Sequence, residues 1–153
     1  MIIINAEGVV LGRMASYAAK KALLGEKVII LNAEKALLSK SKKFLMKEAI
    51  YKLGIHSYYN PRKGPFLMKQ PDNFVRRVIR GMLPYSKNRY GARGREAFKR
   101  VFVFIGVPDE KYIRKIVKEN VVIDEKNFVN LPKKELMKYS TVGEFCKMLG
   151  SKI

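Results

Sequence analysis

The sequence predicts an α/β domain in which helices lie above and below a small, mostly parallel sheet of about four strands. Three observations carry that expectation. Short apolar runs, "IIIN" from Ile2, "VIILN" from Val28 and "VFVFIG" from Val101, are rich in β-branched and aromatic residues and show no polar alternation. Strands of that kind are covered on both faces, as in a parallel sheet held between helices. The first two runs are separated by one helix-length amphipathic stretch, which makes a β-α-β unit. The length of 153 residues, 48% of them hydrophobic, suits one domain spanning 1–153 with a proper core.

Taken in chain order, "IIIN" is the first strand. "LGRMASYAAKKALLG" follows, with Leu11, Met14, Ala15, Ala18 and Ala22 at helical spacing and Gly25 placed to end the helix. Its opposite face carries Arg13, Tyr17, Lys20 and Lys21. After the second strand, Ser41 to Gly54 reads as a helix with an apolar stripe of Met46, Ala49, Ile50 and Leu53. Lys42, Lys43, Lys47 and Lys52 lie around the rest of it. The loop "IHSYYNPRKGPFLMKQP" is punctuated by Pro61, Gly64, Pro65 and Pro71. Loops this long are usually functional or disordered, and three aromatics argue against disorder.

"DNFVRRVIRGML" gives a third helix, with Val75, Val78, Ile79 and Met82 on one face and Arg76, Arg77 and Arg80 near the other. Pro84 stops it, since proline donates no amide hydrogen and disfavours helix just before itself. A short helix, "GREAFKR", leads into the third strand. A fourth strand is expected at Val121–Ile123, and "STVGEFCKMLG" reads as a closing helix capped by Ser140 or Thr141. In that last helix Val142, Phe145 and Leu149 are expected inside.

Charge narrows the partners. Lys and Arg outnumber Asp and Glu 32 to 13, a net of +19, and the excess is not evenly spread. Residues 40–106 hold seventeen basic against three acidic side chains, so an anionic ligand should dock there. Such a balance points to nucleic acid or to an anionic membrane surface. No apolar run approaches the roughly 20 residues that cross a bilayer, and the N-terminus lacks a signal-peptide pattern. Neither a membrane nor a small-molecule substrate is therefore expected as partner. The lone Cys146 forms no disulfide framework and suits a reducing compartment.

Catalytic chemistry finds little to work with. One histidine and one cysteine, far apart, make no structural zinc site, and Cys146 reads as a buried, inert thiol. "EGVVLGR" places glycines between strand and helix but lacks the spacings of the phosphate-binding loops, so Gly8 and Gly12 read as turn formers. Arg13, in the first helical turn, remains a candidate phosphate contact. Glu48, Asp72 and Glu96 are scattered and form no acid–base dyad. The sequence calls for no cofactor and for no enzyme.

The region Arg76–Arg100 differs from an ordinary solvated face. It sets nine basic residues against one acid. It favours arginine, whose planar fork grips phosphate oxygens in pairs and stacks on bases. Tyr85, Tyr90, Gly91 and Gly94 are interleaved, supplying stacking surfaces and places for close backbone approach. Together these predict nucleic-acid binding by phosphate neutralisation, shape and stacking. Arg76 and Arg77 join on their helical face alone, and Lys42 and Lys43 as cations opening the second helix. For His56, Tyr58 and Tyr59 two readings stand: base or 2′-hydroxyl contacts from an exposed loop, or pins that fix the loop to the domain.

The segments "NAEGVVLGRMAS", "LNAEK", "NPRKGP", "RGMLPYSKNRYGARGREAFKR", "VFVFIGVPDE" and "TVGEFCKMLG", in this order over essentially the whole chain, resemble the family of the thirteenth large-subunit ribosomal protein, in its archaeal form. The resemblance implies a three-layer α/β/α domain of the cytoplasmic ribosome that binds large-subunit rRNA, supports subunit assembly and adjoins other large-subunit ribosomal proteins. It carries the rRNA-binding role onto Arg80, Lys87, Arg89, Arg93, Arg95, Lys99 and Arg100, and onto Arg62 and Lys63 within "NPRKGP". Composition alone reaches a basic α/β nucleic-acid binder, for which a free-standing RNA-binding regulator is the alternative.

Overall fold

A computed structural model of the chain describes residues 1–55, 59–60, 62, 66–84, 92–118, 128–129, 131–133 and 137–151. Its central sheet has four strands in the order β4-β2-β1-β5: β1 is Ile2–Asn5, β2 Val28–Leu31, β4 Val101–Val103 and β5 Phe128–Val129. Every neighbouring pair is parallel, with Ile3 opposite Ile29 and Ile29 opposite Phe102. The three apolar runs are therefore strands. The expected strand at Val121–Ile123 falls outside the described residues, and the fourth strand observed is β5.

Alternation along the strands sorts their side chains to two faces. Ile2, Ile4, Val28 and Ile30 point into one apolar cluster with α1 (Leu11–Leu23), α3 (Pro71–Met82) and α4 (Ala92–Lys99). Ile3, Ile29 and Leu31 meet Ile113 and Val117 of α5 (Glu110–Val117) on the other face. Handedness explains the division. The chain steps in one direction from β1 through β2 to β4, then returns across the sheet to β5. Right-handed crossovers place helices of opposite steps on opposite faces, so among the described residues α5 is the helix that covers the second one. The three-layer arrangement expected from the resemblance is present; α5 itself was not foreseen.

Helix α1 buries the five apolar residues read from its spacing, together with Ala19. Gly25, at φ +98°, ends it: its amide bonds to the Ala22 carbonyl, and that of Glu26 to the Lys21 carbonyl at 3.2 Å. This pair of bonds is the left-handed glycine termination, which satisfies carbonyls the helix leaves orphaned. At the other end, Gly8 turns the chain at φ +71°, whereas Gly12 lies inside α1 and turns nothing.

A second, smaller layer sits beside this core. Antiparallel β3 (Leu37–Leu38) and β6 (Ser140–Thr141) join α2 (Lys42–Gly54) and α6 (Val142–Met148). Thr141 caps α6 in a reciprocal box: its hydroxyl accepts from the Glu144 amide, and the Glu144 carboxylate accepts from the Thr141 amide, both at 3.1 Å. Helix α2 departs from expectation. Its buried side chains are Leu45 and Ala49, packed near Phe145, while Ile50 is 60% and Leu53 52% exposed. The helix rests on α6 rather than on the sheet, so a narrow i, i+4 face suffices. Of the stripe read from the sequence, Ala49 is buried and Met46 half-buried, while Ile50 and Leu53 are turned toward solvent.

Candidate nucleic-acid interface

Helix α3 opens with proline at its first position, where a missing amide hydrogen costs nothing. It buries Val75 and Ile79 under the sheet and leaves Arg77 and Arg80 exposed. The chain leaves it at Leu83 and Pro84, and α4 is laid close against that exit. A Cβ built on Gly94 would meet the Pro84 carbonyl carbon at 2.9 Å and its oxygen closer still. Gly94 thus serves the approach of two segments of this chain, where the sequence reading held it open for a ligand.

The close contact forms a groove of 270 Å³ lined by Arg80, Leu83, Gly94, Arg95, Phe98 and Lys99. Arg95 and Lys99, one helical turn apart, present their cations from the same side of α4. A second groove, between α1 and α4, is lined by Ser16, Ala19, Lys20, Leu23, Leu24, Met82 and Arg93. Basic side chains from three helices therefore border two neighbouring grooves around the end of α3. Arg93 and Lys99 are exposed and have no carboxylate partner among the described residues. Lys20, placed by the sequence only on the outer face of the first helix, belongs to this surface. Its seven-residue spacing from Arg13 on one face of α1 was the available signal.

Other sequence candidates are placed differently. Arg100 is half-buried and reaches the Ala22 carbonyl at 3.5 Å, at the carbonyl-rich end of α1. Arg77 donates to the Phe66 carbonyl at 3.1 Å, which ties down the end of the long loop. Arg76 lies over the Phe98 ring at 4.7 Å and lines a cleft at the open edge of β4. Lys42 pairs with Glu144 at 2.7 Å, a contact that holds the Glu144 carboxyl below its usual range, helped by the Thr141 amide. Arg13, Lys43 and Arg62 are exposed. Tyr59 is 99% exposed, so it pins nothing. His56, Tyr58, Lys63, Lys87 and Arg89 lie outside the described residues.

Among the described residues, no three His, Cys, Asp or Glu side chains gather as metal ligands. Cys146 is buried, and desolvation with the nearby Asp72 charge pushes its thiol up to about 11. At that value it is almost wholly protonated and a poor nucleophile. No helix among the described residues is long and apolar enough to cross a membrane.

The model of the ribosomal protein L13 family matches residues 1–110. Three relatives, each called large ribosomal subunit protein uL13, align over nearly the whole chain. The protein of Methanococcus maripaludis is 43% identical and that of Methanocaldococcus jannaschii 40% identical, each alignment covering 99% of both chains. The protein of Methanopyrus kandleri is 37% identical over 97% of this chain and 86% of its own. With a sheet flanked by helices, a basic surface around the α3–α4 junction and relatives of this similarity from end to end, the chain belongs to the ribosomal protein L13 family.

Proposed function

We propose that this protein is a structural constituent of the large ribosomal subunit, and that it grips large-subunit rRNA with the paired grooves around the end of α3. The observation that carries the reading is the convergence of Arg80, Arg95 and Lys99 on one groove and of Lys20 and Arg93 on its neighbour. Like charges held this close repel one another, and polyanionic phosphates between them relieve that repulsion. Each phosphate neutralised also releases counterions, which drives binding at low salt. Arginine forks supply paired hydrogen bonds to phosphate oxygens, and the apolar floors formed by Leu83, Phe98 and Met82 receive ribose or base surface. Exposed Tyr59 and Arg62 extend the contact along the loop.

The role is architectural: a folded domain that screens phosphates where RNA segments converge. Family membership gives no support to the free-standing regulator, and the family is one of structural ribosomal proteins rather than of enzymes. The test is RNA binding by the full chain against salt, with Arg93→Ala and Lys99→Ala separately and together. Each change should lower affinity and reduce the log–log salt slope by roughly 0.7 to 0.9, with circular dichroism unchanged. An unchanged slope with native dichroism would remove these two side chains from the interface.

A further inference from the structure

Strand β4 closes one end of the sheet, so among the described residues one of its edges has no neighbouring strand. The ladder shows which residues face outward. Val28 donates to the Arg100 carbonyl at 2.9 Å and Phe104 to the Ile30 carbonyl at 2.9 Å. In a parallel pair the amide and carbonyl of one residue point to the same side and successive residues alternate. Phe102 therefore faces β2, while Val101 and Val103 turn their backbone groups outward. Those groups have no hydrogen-bond partner among the described residues. An unpaired edge of this kind is a template for another strand.

This edge lies in a cleft of 390 Å³ rather than on a flat rim. Asp72 and Arg76 of α3 form one wall; Pro108, with Tyr112 and Ile116 of α5, forms the other; Val103 and Ile105 lie between. The α5 wall is apolar and open, with Tyr112 56%, Ile105 41% and Ile116 37% exposed. The α3 wall offers an unmet donor. Among the described residues, Arg76 Nε is buried with no hydrogen-bond partner, and Arg76 forms no ion pair with Asp72 one turn earlier. A buried donor left unsatisfied is costly, and a ligand oxygen reaching it would relieve that cost.

We propose that the open edge of β4 is a docking site for an extended, acidic–apolar segment of a partner protein, added to the sheet as a fifth strand. Side chains of an added strand alternate between the two faces. Every second residue would therefore meet Arg76, where a carboxylate fits, and those between would meet Tyr112 and Ile116, where a branched apolar chain fits. The net charge of +19 on the chain as a whole favours an acidic segment, and the free ladder groups of Val103 select a peptide over RNA. Arg76 is thereby assigned to protein docking rather than to the RNA grooves, from which the Phe98 ring separates it.

The test uses the full chain, near physiological salt, with two synthetic octapeptides: one alternating valine and glutamate, the other valine and lysine. The glutamate peptide should bind at least tenfold more tightly and slow exchange of the Val103 amide at least tenfold. Arg76→Gln should abolish the preference between the peptides. Val103→Pro, which removes the outward amide hydrogen without breaking a ladder bond to β2, should weaken binding tenfold or more. If that variant does not fold, Ile116→Asp, on the α5 wall, should produce the same loss with native circular dichroism. Equal affinity for the two peptides, or binding that leaves the Val103 amide unprotected, would overturn the proposal. So would protection of that amide on concentrating the chain alone, since the edge would then serve a second copy, or protection of Arg76 by RNA.

Discussion

Gly94 and Pro84 are in backbone contact: the α-carbon of one faces the carbonyl of the other with no room for a methyl group between them. That contact fixes how closely α4 lies against the exit of α3, and hence the groove holding Arg80, Arg95 and Lys99. The obstacle to a larger residue is backbone, which cannot rotate aside as a flexible side chain could.

Replacing Gly94 with alanine should therefore destabilise the domain although alanine favours helix by about 1 kcal/mol over glycine. Overpacking of a closely fitted site costs typically about 1–3 kcal/mol, so the steric effect outweighs the propensity gain. Urea denaturation should show a lower midpoint with an unchanged slope, and RNA affinity at fixed salt should fall with it. A variant of equal or greater stability would mean that α4 shifts freely, and that the groove is not held by this contact.

The fold was legible in the sequence where one physical signal dominated. Uninterrupted apolar runs marked β1, β2 and β4, because strands buried on both faces need no polar alternation. Periodicity and a terminal glycine marked α1. Helix α5 was missed because its inward residues reduce to Ile113 and Val117 between Lys111, Arg114 and Lys115, too few to stand out from a charged stretch. The stripe of α2 holds at Ala49 but fails at Ile50 and Leu53, because composition does not say whether a helix lies on a sheet or leans on another helix by two residues. At the site, the density of arginines was visible in one dimension, but their division was not. Arg100 and Arg77 reach backbone carbonyls of this chain, while Lys20 joins the surface from a helix remote in sequence. Such assignments depend on contacts between distant segments, which spacing cannot encode.

Acid should loosen α2 before it unfolds the core. Glu48 accepts from Lys52 at 2.8 Å and from Lys40 at 2.9 Å. Hydrogen bonds from these two ammonium groups, Lys52 foremost, hold its carboxyl at about 2, against an ordinary 4.5. A carboxyl depressed on folding contributes stability that is fully present above the unfolded value and lost as pH falls through the folded one. The stability gap between the native chain and Glu48→Gln should therefore be constant near neutrality, shrink as pH falls below about 4.5 and close only below about 2. Exposed pairs are worth only about 0.2–1 kcal/mol, so the gap is small and should shrink further in molar salt. A gap that persists well below pH 2 would show that glutamine disturbs packing rather than charge.

Cys146 provides a report on the core that is independent of charge. It is fully buried beside Val142 on α6, in the cluster shared with α1 and the sheet, and its thiol is pushed up to about 11. Reaction with a thiol reagent requires both access and the thiolate, and the native state denies both near pH 8. Labelling should therefore be slow and should accelerate in step with the opening of α6. Thr141→Ala, which removes the cap hydroxyl, costs typically about 1 kcal/mol and should raise the labelling rate roughly fivefold if the reactive opening is loss of α6 alone or global unfolding. Mass spectrometry of quenched samples measures both rates. Rapid stoichiometric labelling of the native chain, unaffected by the Thr141 change, would place Cys146 at an accessible surface and contradict the packing of α6 described above.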